Sequence, residues 1–374
     1  NNTAVGYQAS YSNTTGTLNT VVGERAAYLN TTGERNVAIG NTALFSNTTG
    51  VRSVAIGMDA LALNTTGNYN VAIGYQASYS QTANAENVAI GYQALYYNLA
   101  DVNTAVGYGS LINNSTGAEN TAVGNRTMLA NTTGEKNTAI GRQALQANTT
   151  ASYNTAVGWN AGLSNTTGIA NTFIGVRAGV SATTGTYNTF VGTGTTDGAG
   201  AAITTGGKNT ILGGYTGNQG GLDIRTASNY IVLSDGDGNP YAHNNGGSTW
   251  SFSGAGTNAT IANFTNNSAS LPYGLYVNFS ATSPNNTANY FLQCVDTGGE
   301  RLTVRSNGGI ANYSGNNVNL SDRIEKTNFA PAKSYLNTIC SIPVQTFNYI
   351  DQNLEQDAGL TLGVVAQDVQ AVAP

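Results

Sequence analysis

The side chains able to do chemistry are few. Asp235-Gly236-Asp237-Gly238-Asn239 sets oxygen ligands at alternate positions, the spacing of a calcium loop. No glutamate closes that loop from its far end, and Asp-Gly is also hairpin chemistry. A turn is therefore the preferred reading, with a metal site on Asp235, Asp237 and Asn239 as the alternative. His243 is the single histidine, so acid–base chemistry near neutral pH has almost nothing to run on, and a surface position is expected for it. Cys294 and Cys340 are too few for a zinc cluster or a disulfide framework. The Gly clusters at 192–198 and 213–221 lack the strand–GxGxxG–helix order of a phosphate cradle. No cofactor is expected. The Asn-Thr-Thr triplets would be glycosylation acceptors in a secreted eukaryotic chain; as turns they need no glycan, which is the preferred reading. Tyr7, Tyr75, Tyr92 and Tyr108, with Trp159, each follow a repeated glycine. They would form an exposed aromatic stripe, although packing between successive coils is the simpler account.

The elements that must position these residues come from an unusual composition. Of 374 residues only 9% are charged, against roughly 25% in an ordinary domain. Gly numbers 47, and Asn and Thr about 50 each. The longest apolar runs are about four residues, far short of the ~18 that cross a bilayer, so a membrane span is excluded. The balance of 14 basic and 19 acidic residues excludes a basic nucleic-acid binder. With 40% apolar residues and 21 Tyr there is too much buriable surface for a solvated coil. The chain starts at Asn1 without Met or signal peptide and is read as an excerpt or a processed product.

Internal repetition dominates. A pentad Asn-(Thr/Val)-Ala-(Val/Ile)-Gly begins at Asn2, Asn19, Asn36, Ser53, Asn70, Asn87, Asn103, Asn120, Asn137, Asn154, Asn171, Asn188 and Asn209. Ten of the twelve intervals are 17 residues, one is 16 and the last is 21. A small residue, such as Ala26, Ala43 or Ala60, follows three positions after each pentad glycine. Asn-Thr-Thr-Gly turns recur at 13–16, 30–33, 47–50, 64–67, 131–134 and 165–168. Seventeen residues fit one coil of two short strands and two turns. Within the pentad the aliphatic residues share one face and Ala lies on the other. Burial of the aliphatic face is expected, with the Ala face approached closely as at a subunit contact. Stacked Asn side chains would form a ladder. Ordering 17 residues costs more than four or five aliphatic side chains return, so the coils must stack and are expected to oligomerise.

Repetition fades through the Gly-rich stretch 192–221. Beyond Leu222, short strands such as Tyr230–Leu233, Thr249–Phe252, Gly274–Val277, Tyr290–Leu292 and Arg301–Val304 read as an all-β module with hairpins. The last 54 residues open on Ser321-Asp322-Arg323-Ile324-Glu325-Lys326-Thr327-Asn328. A helix is predicted after Pro331, with Leu336, Ile339 and Cys340 on one face, then a strand over Val344–Tyr349 and a closing Gly363-Val364-Val365-Ala366-Gln367-Asp368-Val369.

The pentad with its following Ala resembles the SVAIGxxA head repeats of trimeric autotransporter adhesins across residues 1–213. That resemblance implies a parallel β-roll of three chains, with a single-chain left-handed β-helix as the alternative. The order from Ser321 to Pro374 resembles the endosialidase-type intramolecular chaperone domain of phage tail spikes and fibres. That family drives trimerisation and then cuts itself off before the motif serine. Carried over, Ser321 is the nucleophile, Lys326 its general base and Leu320–Ser321 the scissile bond. The base requires burial to lower its pKa. The family's basic residue three after the serine is Ile324 here, with Arg323 one position earlier. Residues 243–250, ending Gly-Ser-Thr-Trp, resemble a sialidase Asp box with Asn245 in place of Asp; a Trp-anchored strand is the preferred account.

Together these readings give an all-β chain: a trimeric β-roll shaft of 17-residue coils over 1–213, a β-rich module over 214–320 and the start of a chaperone domain over 321–374. The expected function is a structural fibre of a phage or phage-like particle that attaches to a host surface. Its partners would be two further copies, a host glycan or protein bound most plausibly on 222–320, and other fibre or baseplate proteins. Its location would be extracellular, on the particle. A bacterial trimeric surface adhesin is the alternative, and a glycan depolymerase or β-helix enzyme the third reading. No turnover enzyme is expected beyond a single self-cleavage.

Overall fold

The computed structural model describes residues 1–247, 250–252, 290–296, 299–305, 310–312, 337, 340–347, 361–363, 369 and 371. Two compact units cover Asn1–Asn263 and Phe264–Pro374.

The first unit is a parallel β-solenoid. Each pentad forms one three-residue strand, from β1 (Thr3–Val5) through β13 (Thr210–Leu212), and consecutive strands pair parallel with like residues in register. Thr155, Ala156 and Val157, for example, face Thr172, Phe173 and Ile174. Where two strands per coil are expected, only one is regular. The opposite wall still bonds coil to coil, as in Ala27 N–H to Ala43 C=O (2.9 Å) and Leu29 N–H to Phe45 C=O (3.0 Å). It bends too sharply for a strand because residues such as Thr42 (φ 51°) and Leu44 (φ 54°) sit in the left-handed region. Such residues cost about 1–3 kcal/mol each and persist only where surrounding structure holds them. Here the stack of identical coils does so. The pentad glycine is required for the same reason: Gly74 has φ 136°, and a Cβ there would lie 2.5 Å from the Gly91 carbonyl oxygen of the next coil.

The faces of the strand are the reverse of the expectation. The central Ala of each pentad, from Ala38 to Ala156, is fully buried, and the flanking Val, Ile and Thr point outward and stay partly exposed. The physical reason is room. The two walls of a 17-residue coil close on each other tightly enough that a methyl group fills the strand side, while a single larger residue from the bent wall fills the rest. That residue is Leu44, Leu61, Leu95, Leu111, Met128 or Leu145, next to the buried small residue that follows the pentad.

Two Asn ladders run along the stack. In the pentad ladder Asn36 N–H donates to Asn19 Oδ1 (2.9 Å), and Asn36 Nδ2 donates to Gly50 O (2.7 Å). In the turn ladder Asn47 Nδ2 donates to Asn30 Oδ1 (2.7 Å) and to Gly50 O (3.0 Å). Buried amides are thus joined to backbone that strands cannot reach.

The solenoid continues past the last pentad. After a 21-residue interval holding a small hairpin, β14 (Asn218–Gln219) with β15 (Leu222–Asp223), strand β16 (Ile231–Ser234) pairs parallel with β13. The segment read as the first strand of a separate module is therefore a fourteenth rung. β17 (Pro240–Asn244) and β18 (Trp250–Phe252) then extend the same sheet antiparallel.

In the second unit, β19 (Tyr290–Asp296), β20 (Gly299–Arg305) and β21 (Ile310–Asn312) form an antiparallel meander. β22 (Gln345–Phe347), inside the predicted Val344–Tyr349 strand, pairs antiparallel with β23 (Thr361–Gly363). Asn337 and Cys340 are helical within the predicted helix, and Ser341 N–H donates to Asn337 C=O (3.1 Å). Among the described residues no helix is long and apolar enough to cross a membrane.

Candidate functional site

The outward side of the strand wall is a continuous apolar stripe. Its last-position column runs Val5, Val22, Ile39, Ile56, Ile73, Ile90, Val106, Val123, Ile140, Val157, Ile174, Val191 and Leu212, with Val or Thr beside it two residues earlier. Val5 is 59% exposed, Ile90 36% and Leu212 44%. Because the register never slips, the columns are straight and the face is regular. At the far end the hairpin strands prolong it. Cross-strand pairing aligns Leu233 with Ala242 and Phe252, and Ile231 with Asn244 and Trp250. The Trp250 and Phe252 rings stack at 6.3 Å and stay exposed. A soluble chain rarely leaves so long an apolar surface to water.

The bent wall carries the aromatic residues. Tyr75–Tyr92 and Tyr92–Tyr108 stack at 5.3 and 5.0 Å, so three of the tyrosines singled out in the sequence form one column; Tyr7 and Trp159 stand apart from it. The sequence reading missed a second column four residues on, with Tyr79–Tyr96 at 5.2 Å and Tyr11–Tyr28–Phe45 at 5.2 and 5.3 Å. Its signal was the 17-residue spacing of those aromatics.

The remaining candidates resolve simply. Asp235 spends its carboxylate within its own turn: Oδ1 accepts from Asp237 N–H (3.0 Å) and Asn239 N–H (2.9 Å), and Oδ2 from Asn239 Nδ2 (3.0 Å). These bonds, from Asn239 foremost, hold its carboxyl below the usual carboxylate range. His243 is half-buried in β17 instead of lying on the surface, with Val232 and Ser251 as cross-strand neighbours. Trp250 is the first residue of strand β18 and stays exposed, so the segment is a strand but Trp250 does not bury itself as an anchor. Cys294 and Cys340 are exposed free thiols. Asn30, Asn47, Asn64, Asn131 and Asn165 of the Asn-Thr-Thr turns are buried in the turn ladder, so a folded coil offers them to no glycosylating enzyme. Ser321, Lys326, Leu320 and Ile324 lie outside the described residues.

The segment that opens on Ser321 decides the comparison with known proteins. Residues 321–374 match the family model described as chaperone of endosialidase. The chaperone domain implies trimerisation, and with the solenoid it fits a trimeric fibre that carries its chaperone at the C-terminal side. No curated protein and no solved structure matches the chain.

Proposed function

We propose that this chain is the structural subunit of a trimeric fibre of a phage or phage-like particle, serving attachment to a host surface. The shaft is residues 1–213 with the added rung at Ile231–Ser234, the β-rich module occupies the remainder of 214–320, and residues 321–374 are the assembly chaperone. The observation that carries the reading is the uncovered Val/Ile stripe, unbroken over fourteen rungs in a chain whose C-terminal segment matches a chaperone family. Three copies turned stripe-inward around one axis bury it, and the closed point group leaves no sticky face over. Neutral ladders and short stacked strands then supply stiffness without surface charge.

In the same reading, Ser321 Oγ attacks the Leu320 carbonyl carbon as Lys326 takes its proton. The Leu320–Ser321 amide becomes an ester with a free Ser321 amine, and water hydrolyses the ester to leave Leu320 as a new carboxylate end. Native mass spectrometry of the full-length protein tests both parts. A trimer whose chains end at Leu320, and a full-length trimer in Ser321→Ala, are expected. A monomer overturns the fibre reading, and a trimer never cut at Leu320 removes the self-cleavage alone. Ile73→Asp with Ile90→Asp is expected to give folded monomers, because both side chains point away from the core.

A further inference from the structure

Coils 5 to 7 differ from the rest of the shaft. Residues 70–118 hold six of the 21 tyrosines and only two charged side chains, Glu86 and Asp101. Both charges sit at the corner beyond the turn, where Asp101 Oδ1 accepts from Ala85 N–H (2.8 Å). On the bent wall Ala77 with Ser78, and Ala94 with Leu95, are buried, while Tyr75, Gln76, Tyr92 and Gln93 before them and Tyr79 and Tyr96 after them stay partly exposed. That arrangement sets two tyrosine columns side by side, Tyr75–Tyr92–Tyr108 and Tyr79–Tyr96, with Tyr97 edge-on to Tyr96 at 4.5 Å. Between them Gln93 Nε2 donates to Gln76 Oε1 (2.9 Å). Tyr75, Tyr92 and Tyr108 are 37%, 43% and 48% exposed. Packing within the cluster foremost, then Tyr97, Tyr79 and Tyr75, raises the Tyr96 hydroxyl above its ordinary pKa.

The coil does not need these tyrosines. At the position of Tyr75 other coils place Glu24, Asn41, Met58 and Asn125, with the preceding glycine at nearly the same φ (138°, 139°, 129° and 139°). Stacking between coils is also served by one column alone, as in Tyr11–Tyr28–Phe45, beside which stand Tyr7, Glu24 and Asn41. The doubled columns of coils 5 to 7 exceed what packing asks for.

Stacked rings spend their faces on one another. What they turn outward is a ring edge and a phenol hydroxyl, beside the Gln76–Gln93 amide pair. Such a surface offers rigid, amphipathic hydrogen-bonding contact at small entropic cost. Within coils 5 to 7 this face has neither a cation for a phosphate, sulfate or carboxylate polymer nor a carboxylate for a polycation; Asp59 and Arg126 border it in coils 4 and 8. It suits a neutral polyhydroxylated ligand. The 5.0–5.3 Å ring spacing also matches one sugar residue of an extended β-linked pyranose chain.

We propose that the two tyrosine columns of coils 5 to 7 are the docking face for a neutral, extended β-linked polysaccharide, laid along the solenoid axis with one sugar per coil. The proposal places the glycan contact on the shaft and not on residues 222–320. It rests on the fibre reading for its biological setting, while the contact itself needs one chain.

Affinity electrophoresis of the full-length protein through gels containing hydroxyethyl cellulose tests it, with dextran as a neutral but incommensurate polymer and polygalacturonate as an anionic one. Retardation by the β-linked polymer alone is expected. The variant Tyr75→Asn/Tyr92→Asn/Tyr108→Asn, which installs the residue found at Asn41 and Asn125, should lose about tenfold or more in affinity, ~1.4 kcal/mol, with the number of chains in its native assembly unchanged. No retardation, equal retardation by dextran, or full affinity in the triple variant overturns the proposal. So does a triple variant that falls apart into monomers, because the columns then face a second copy. A wild-type monomer that still binds hydroxyethyl cellulose sinks the fibre reading and leaves this site standing.

Discussion

Coils 3, 4 and 6 to 9 on one side, and coils 11 and 12 on the other, share one backbone and one strand register yet fill their interiors in opposite ways. In the earlier coils the strand contributes Ala and the bent wall a larger residue, as in Ala139 with Leu145. In the later coils the strand contributes Phe173 and Phe190 and the bent wall Gly179 and Gly200, with Gly162 of coil 10 giving Phe173 room from the neighbouring coil. A Cβ on Gly162 would lie 2.6 Å from Phe173 Cδ2, and one on Gly179 or Gly200 would sit inside the ring of Phe173 or Phe190. The two phenyl rings meet at 5.6 Å. What the repeat conserves is therefore the filling of the coil, shared between walls and between neighbouring coils, and not the residue at any one position.

The largest effects follow from mismatching the two patterns. Phe173→Ala should cost about 3–5 kcal/mol through the cavity it opens between Gly162 and Gly179. Gly179→Leu should cost roughly as much by driving a side chain into the ring, even though Leu44 and Leu61 accept the same positive φ in earlier coils. Combining the two installs the Ala/Leu pattern in coil 11. Chemical denaturation should then show the double variant more stable than either single one, a coupling of about 1–3 kcal/mol. Losses that simply add would break the comparison, because the two walls would then be packing independently.

How much of this was legible beforehand depends on which physical quantity each feature rests on. Period, parallel stacking and the Asn ladder follow from residue type and spacing, and all three could be read directly. The sign of the strand face could not. Alternation defines two faces without saying which is inside, and the greater hydrophobicity of Val and Ile over Ala points the wrong way. Only the closeness of the opposite wall, set by residues such as Leu44 and Leu145, decides it. The fourteenth rung was hidden because Tyr230 and Ser234 stand where the pentad has Asn and Gly, although Tyr230 N–H still bonds to Asn209 Oδ1 at 2.9 Å. The second aromatic column was masked by Ala62 and Ile112, which interrupt it. The chaperone motif was legible from Ser321, Lys326 and Asn328 because a motif is carried by residue identity, not by packing.

A smaller effect sharpens the ladder side of the comparison. Asn120 Oδ1 accepts from Asn137 N–H (3.0 Å) and Asn137 Nδ2 (3.1 Å), and Asn120 Nδ2 donates to Gly134 O (2.9 Å). Asn120→Ala leaves the buried Asn137 N–H without an acceptor, at about 1–3 kcal/mol, while Gly134 O keeps its bond from Asn131 Nδ2. Asn120→Ser should cost less, since Ser53 already does this work in coil 4 by accepting from Asn70 N–H at 3.3 Å. Hydrogen exchange at Asn137 reads the difference. Equal protection in both variants would mean that the ladder contributes packing and not hydrogen bonds.

The smallest effect separates the neutral coils from the loop at the end of the solenoid. The ladders are amides and cannot titrate between pH 2 and pH 9, roughly. The turn over 235–239 hangs on an ionised carboxylate, since Asp235 accepts three bonds and its folded pKa is depressed. A depressed carboxyl stabilises its site above its unfolded pKa and loses that stabilisation as pH falls through the folded value. Acidification below about pH 4 should therefore loosen this turn first. Amide exchange at Asp237 and Asn239 should quicken while that of the ladder residues Asn36 and Asn120 stays flat. The carboxylate is exposed, so the gain is local and the unfolding midpoint of the shaft should hardly move. Asp235→Asn should reproduce the acid behaviour of the turn at neutral pH, and a shaft that softened together with its turn would show that charge, not the amide ladders, holds the coils.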